Sequence, residues 1–196
     1  MTRGKAHEVR IIGGQWKRSR LAVLDRPGLR PTPDRVRETL FNWLGQSLDG
    51  LSCLDLFAGS GALGFEAASR GAARVVMVEQ DRAVFQNLQK TKDTIGASVV
   101  EIVLDDAFAY LKKAPRFDVV FLDPPFRQNA LPAVFKQLKD APKKQGGLAM
   151  RVYVEASEPF APGEPWRELK RARAGQVSYQ LFEWRSDDQG GLPGNV

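Results

Sequence analysis

The stretch that most constrains this chain is LSCLDLFAGSGALGFEAASR, residues 51–70. An apolar run ends at Asp55, a turn containing Gly59, Gly61 and Gly64 follows, and ALGFEAA continues with helix-forming residues. Glycines at that spacing let a strand turn sharply into a helix and let backbone approach an adenosine cofactor. The same succession of short apolar run and helical pattern repeats downstream. Strands are predicted at 51–57, 74–79, 99–104, 117–122 and 148–155, and helices at 62–70, 81–95, 106–113 and 129–140. Asp81 reads as an N-cap, and Gly71 and Gly96 as helix stops. Runs such as RVVMV and DVVFL are apolar without alternation, as expected for strands covered by helices on both faces. Alternating β and α elements imply a parallel sheet with right-handed crossovers. The end departs from this rhythm: ELKRARA and QVSYQLFEW meet at Gly175 with no room for a helix, which predicts an antiparallel hairpin.

Ahead of this unit, residues 9–24 read as two short strands around Gly13-Gly14, a hairpin. Pro27, Pro31 and Pro33 keep the next segment extended. Thr32 is a candidate N-cap with Pro33 at the first helical position. Val36, Leu40, Trp43 and Leu44 form an apolar stripe at helical spacing, on a helix predicted to reach about Leu48. The chain thus divides into a basic hairpin extension (1–30), an α/β domain (31–185) and a disordered tail (186–196).

Composition narrows the chemistry. Among 196 residues there is one cysteine, Cys53, and one histidine, His7. Intrachain disulfides and cysteine- or histidine-rich metal sites are excluded, and no metal is expected. Cys53 sits mid-strand and reads as a small core residue, not the exposed thiolate that cytosine-C5 methylation needs. No apolar run approaches the roughly 20 residues of a bilayer span, and the N-terminus lacks the apolar core of a signal peptide, so a cytoplasmic protein is expected. The net charge of +6 is unevenly placed: residues 1–37 hold ten Lys/Arg against three acids, and the rest of the chain is nearly neutral. A phosphate backbone would bind such a surface, and a solvated basic tail would look the same.

Glu79 ends the second strand of the α/β unit, 20 residues after Gly59, where a carboxylate can accept hydrogen bonds from ribose hydroxyls. NAD and S-adenosylmethionine both carry that ribose, so the glycines and Glu79 do not separate them. Asp55 does bear on the choice. A carboxylate beside the loop repels a pyrophosphate and suits a cofactor bearing an amino group and a sulfonium; an Asp that only caps the turn is the alternative. FLDPPF, residues 121–126, ends the fourth strand, at the edge where open α/β sheets bind ligands. Pro124 and Pro125 stiffen the backbone, fixing the Asp123 carboxylate and the Pro124 carbonyl as two acceptors for the two protons of an exocyclic amine. Phe126 offers a ring on which a flipped base can stack. A rigid turn with a buried Phe would satisfy the same letters.

DLFAGSGALGFEA, VEQD and LDPPF together resemble a class I S-adenosylmethionine-dependent methyltransferase of the amino-methylating kind. RIIGGQWKRSRL, RPTPDRVRETLFNWL and FLDPPF closely resemble the RsmD family of 16S rRNA guanine-N2 methyltransferases, over about residues 9–184. The resemblance implies a Rossmann-like, seven-stranded, mostly parallel sheet with the last strand antiparallel. It implies S-adenosylmethionine as donor, S-adenosylhomocysteine as product, and a guanine of 16S rRNA as acceptor, within a small ribosomal subunit or assembly particle. No membrane partner and a monomer are expected. The cofactor set it implies is Asp55, Phe57, Ala58, Gly59, Ser60 and Gly61 on the loop, Glu79 and Gln80 at the ribose, and Asp106 and Ala107 at the adenine. Asp105 beside Asp106 leaves open which of the two meets the adenine amine. Asp123, Pro124, Pro125 and Phe126 form the catalytic motif, with Asp123 also at the cofactor. The RNA-contact candidates are Arg10, Trp16, Lys17, Arg18, Arg20 and Arg30, with Thr32, Arg35 and Arg37 beyond them and Arg127 after the motif. Glu155, at the end of the fifth strand, reads equally as a substrate contact or an ordinary polar strand end. A DNA adenine-N6 or cytosine-N4 methyltransferase is the runner-up, an NAD oxidoreductase or a plain RNA-binding module a third.

Overall fold

The computed structural model describes residues 7–24, 26, 32–125, 130–140 and 149–185. Its main sheet contains β3 (Ser52–Asp55), β4 (Arg74–Glu79), β5 (Val100–Leu104), β6 (Val119–Leu122), β7 (Arg151–Ala156), β8 (Trp166–Ala174) and β9 (Val177–Trp184). The strands lie in the order β5-β4-β3-β6-β7-β9-β8. β9, the last strand, runs antiparallel to its neighbours β7 and β8, while the β3–β4, β3–β6, β4–β5 and β6–β7 pairs are parallel. The expected fold class is thus the observed one. The terminal hairpin turns at Gly175, as expected, and folds back so that β9 occupies the place beside β7.

Alternate residues of each central strand feed two separate cores. Cys53, Val75, Met77, Phe121 and Tyr153 pack with α1 (Asp34–Leu44), α2 (Ala62–Ser69) and α3 (Arg82–Ile95) on one face. Leu54, Val76, Val78, Leu122 and Val154 pack with α4 (Ala107–Leu111) and α5 (Leu131–Asp140) on the other. A strand buried on both sides cannot alternate polar and apolar residues, which explains the continuous runs in the sequence. Cys53 is buried in the first core, and burial pushes its thiol up to about 12. Asp81 caps α3 by accepting from the amides of Ala83 and Val84, and Gly96 ends it in the left-handed region.

β1 (His7–Arg10) and β2 (Arg20–Val23) pair antiparallel as a separate two-stranded sheet. The hairpin is there, but Gly13-Gly14 do not form a tight turn. Residues 11–19 make a wide connection that docks on α2: Ile12 and Gly13 donate their amides to Glu66 at 2.7 and 2.8 Å, and Trp16 donates its amide to the Ser69 hydroxyl at 2.9 Å. Val9, Ile11, Leu21 and Val23 bury their side chains in the first core.

Two expectations about α1 are corrected. The helix stops at Leu44, because Gly45 adopts φ 101° and returns its amide to the last turn. Thr32 is not its N-cap. Pro33 occupies that position without a side-chain bond, and the Thr32 hydroxyl is turned into the molecule. Among the described residues, no helix is long and apolar enough to cross a membrane.

Candidate active site

The strand order reverses between β3 and β6: the chain builds outward from β3 through β4 and β5, then returns to place β6 and β7 on the other side. Diverging crossovers leave a crevice at the carboxyl ends of such strands. A cavity of about 1020 Å³ lies there.

One wall is the glycine loop. Ala58 donates its amide to the Val78 carbonyl at 3.0 Å, tying the loop to the end of β4. Gly59 and Gly61 have φ of 49° and 75°, values that a side chain disfavours. Gly64 sits where α2 crosses β4 so closely that a Cβ would meet the Met77 side chain and the Asp55 carboxylate. Asp55 is buried at the end of β3, and its Oδ2 accepts the Gly64 amide at 2.9 Å. Asp55 thus holds the first turn of α2, as the capping reading has it, and it also lines the cavity. Burial, reinforced by the Glu79 and Glu155 charges and opposed by the Gly64 bond, raises its carboxyl to about 7.

Glu79 accepts the Gly59 amide at 3.0 Å on one oxygen and the Asp81 amide at 2.8 Å on the other, so its carboxylate is fixed against the loop. Gln80 lies beside it on the cavity wall. The two neighbouring aspartates are now distinguishable. Asp105 uses both oxygens, accepting from the Asp106 amide and pairing with Lys113 at 2.8 Å. Asp106 caps α4 through Oδ1 alone, accepting from Phe108 and Ala109 at 3.0 Å. Phe57, Ala58, Gly59, Ser60 and Ala107 line the cavity, while Gly61 lies behind it as the N-cap residue of α2.

The opposite wall begins at Asp123, Pro124 and Pro125, just past the end of β6. β6 and β7 pair Leu122 with Val154, so the next residues along, Asp123 and Glu155, emerge side by side. Glu155 is only 4% exposed. Its Oε1 accepts the Thr32 hydroxyl at 2.9 Å and the Tyr153 hydroxyl at 3.0 Å. The Thr32 oxygen also lies 3.5 Å from Asp123 Oδ2. Desolvation first, then the Glu155 and Asp55 charges, push the Asp123 carboxyl well above the usual carboxylate range. Desolvation also raises Glu155, against the bonds from Thr32 and Tyr153 and the Arg37 charge. The β8–β9 turn closes this side, with Ala174, Gly175, Gln176 and Val177 on the wall.

The structure thus brings together every described cofactor candidate except Gly61, which supports the loop from behind, along with Asp123, Pro124 and Pro125. Phe126, Arg127 and Arg30 lie outside the described residues, as does the 186–196 tail. One RNA-contact candidate is corrected. Arg37 is fully buried, donating to the Thr32 and Arg10 carbonyls, Asp34 and Glu66, so it cannot touch a ligand at the surface. Thr32 lies away from the basic surface: it lines the cavity, buried, with its hydroxyl engaged by Glu155. Trp16 is half-buried against the first core. Lys17, Arg18 and Arg35 are exposed; so are Arg10 and Arg20, which pair with Asp34 and Glu8. None of these six lines the cavity. In sequence Glu155 reads as a substrate contact or a polar strand end, and its place beside Asp123 needed the β6–β7 register.

The family described as conserved hypothetical protein 95 matches residues 9–183. Over 182 residues, 90% of each chain, the sequence is 46% identical to the ribosomal RNA small subunit methyltransferase D of Escherichia coli strain K12. The Haemophilus influenzae protein of the same name is 42% identical over 181 residues, covering 90% of this chain and 94% of its own. The solved structure of yhhF from Escherichia coli superposes with a TM-score of 0.81 at 43% identity, over 92% of this chain and all of that one. A Haemophilus influenzae structure does so with a TM-score of 0.77 at 38% identity and the same coverage. With its β9-inserted sheet and its Asp123-Pro-Pro edge facing the glycine loop, this chain belongs to the RsmD family of methyltransferases.

Proposed function

We propose that this chain transfers a methyl group from S-adenosylmethionine to the exocyclic N2 of a guanine in 16S rRNA of the small ribosomal subunit. The observation that carries this reading is a single cavity lined both by the glycine loop with its buried Asp55 and by Asp123-Pro-Pro. The donor set fits a cationic cofactor. Among the described residues, seven acidic side chains line the cavity (Asp55, Glu79, Asp81, Asp105, Asp106, Asp123 and Glu155), against one guanidinium, Arg26. A pyrophosphate would meet like charge along this acidic lining, which disfavours the dinucleotide reading of the glycine pattern. Asp55 already occupies the α2 amide of Gly64, one of the first-turn donors that bind a phosphate in dinucleotide folds.

When bound, S-adenosylmethionine supplies an electrophilic methyl group. Asp55 and the loop hold its cationic end, Glu79 holds its ribose hydroxyls, and the Asp106 Oδ2, which takes no bond from α4, receives the adenine amine. The Asp123 carboxylate and the Pro124 carbonyl each accept one N–H of the guanine amine, turning the nitrogen lone pair toward the methyl. The amine is a weak nucleophile, so most of the rate gain comes from this orientation. The exposed Lys17, Arg18 and Arg20 of the hairpin and Arg35 of α1 supply a basic surface for the rRNA backbone.

The test is Asp123→Ala, assayed with labelled S-adenosylmethionine on small subunits that lack the modification. Turnover is expected to fall by a factor on the order of 10³, while calorimetric cofactor binding stays within a few-fold. Retained turnover would overturn the assignment. Duplex DNA serves as the control substrate, and preferential methylation of it would establish the runner-up reading.

A further inference from the structure

The proposed chemistry leaves a proton to be placed. When the exocyclic amine gains a methyl group, the nitrogen becomes an ammonium and must lose a proton in the crevice. On that reading Asp123 already accepts from the amine, and the structure surrounds it with groups that reading alone does not use. Thr32 Oγ lies 2.9 Å from Glu155 Oε1 and 3.5 Å from Asp123 Oδ2, so one hydroxyl stands between two carboxyl groups. Thr32 and Glu155 are both buried. The Thr32 backbone is itself pinned, its carbonyl accepting from the buried Arg37 guanidinium at 3.3 Å. This threonine sits on a proline-rich segment, outside helix capping, with its hydroxyl between two acids.

Resting on the amine-methylation reading, we infer that Asp123 takes the proton lost by the substrate amine, with Thr32 and Glu155 as positioning residues that hold its carboxyl ready for it. The N–H bond of the ammonium breaks as an O–H bond forms on Asp123. The balance is one proton moved from nitrogen to Asp123, with Thr32 and Glu155 unchanged. No oxidant or metal enters.

The charged and titratable surroundings act on the Asp123 carboxyl. Glu155, raised by desolvation, is held toward its charged form by two hydroxyl donors, Thr32 and Tyr153, and by the Arg37 charge from α1. Asp55 on β3 faces Asp123 as a second like charge. Tyr179 on β9 pairs across from Glu155 and bounds the unit on the remaining side. Glu155 keeps Asp123 basic by repulsion, and Thr32 lowers Asp123 by donation; the two neighbours act on one carboxyl with opposite sign.

That opposition supplies the experiment. Single-turnover methyl transfer is measured against pH for the full chain with S-adenosylmethionine and unmodified small subunits. Glu155→Gln is expected to move the acid limb of the profile down by about one pH unit and Thr32→Val to move it up by a similar amount. Thr32→Ser restores the original limb. The unfolding temperature of the ligand-free protein, followed against pH, shows the same opposite shifts without any reaction. A side chain serving only to pack would lower stability at every pH and move neither limb. If Thr32→Val folds poorly, Tyr153→Phe, which removes one donor from Glu155 and leaves Asp123 untouched, gives a smaller change at the same limb. Unshifted profiles in Glu155→Gln and Thr32→Val, with Asp123→Ala inactive, would overturn the positioning role alone. An active Asp123→Ala would instead remove the reading beneath it.

Discussion

Two clusters of buried charge lie in this small molecule, and they are built on opposite rules. Around Glu66 every charge is answered. Its two oxygens accept from the Ile12 and Gly13 amides and from Arg37 and Arg70, and Arg37 goes on to bond Asp34 and two backbone carbonyls. That cluster stitches the hairpin, α1 and α2 together. Around Asp123 the charges are alike: Asp55, Asp123 and Glu155 converge with one hydroxyl between two of them. Burying an unanswered charge costs stability, and the carboxyl groups respond by holding protons. The first cluster fixes a shape; the second stores proton affinity where a cationic cofactor and an amine are expected.

The largest effect that could break this contrast comes from the first cluster. Glu66→Ala takes a buried partner from two arginines and leaves the Ile12 and Gly13 amides without theirs, and a loss of about 3–5 kcal/mol is expected in chemical denaturation. The hairpin should detach first, seen as faster amide exchange at Ile12 and Gly13. A loss below about 1 kcal/mol, typical of an exposed pair such as Arg74–Glu101, would show that the cluster is not structural.

The second cluster should respond in the opposite sense. Asp55 has a folded-state carboxyl raised to about 7, so the native state binds a proton that the unfolded chain has already released between about pH 4 and pH 7. Stability of the ligand-free protein should therefore fall as pH rises through that window. Asp55→Asn should flatten the slope and stabilise the protein at pH 8 by an amount on the order of 1–3 kcal/mol. The same change should weaken S-adenosylmethionine binding about tenfold, because the cation loses its partner. Thermal melts against pH, paired with calorimetry, decide both halves, and a destabilised Asp55→Asn would contradict the account.

The smallest effect sharpens the contrast at the surface. Lys17→Glu and Arg18→Glu change exposed side chains that belong to neither buried cluster. Binding to rRNA should weaken by about 1 kcal/mol each, with the salt dependence reduced by about one ion per site. Cofactor affinity and melting temperature should not move. Unchanged rRNA binding would remove the hairpin from the proposed interface.

Local rules carried the reading of the strands and the glycine turn a long way, because each depends on neighbours in sequence. Apolar runs marked β3 to β7 within a few residues, and Asp81 and Gly96 marked the ends of α3. Local rules failed where a polar group found a distant partner. Thr32 has the letters of an N-cap, yet Glu155 and Asp123, far along the chain, claim its hydroxyl. Arg37 sits in a basic segment, yet Glu66 and the Arg10 carbonyl take it into the interior. Charge counting treats every arginine as a surface arginine, and only packing separates the two kinds.

By itself the sequence determined the α/β alternation, the glycine turn, the rigid Asp123-Pro-Pro edge and the family, since each is written in contiguous residues. Tertiary structure alone decided which acids share a cavity. Parallel pairing sets Asp123 beside Glu155 and sets Asp55 beside Phe121, two residues before Asp123, and the terminal hairpin closes the rim with Gly175 and Gln176. Register and strand order are properties of the assembled sheet, fixed by burying both faces at once, and no single segment contains them.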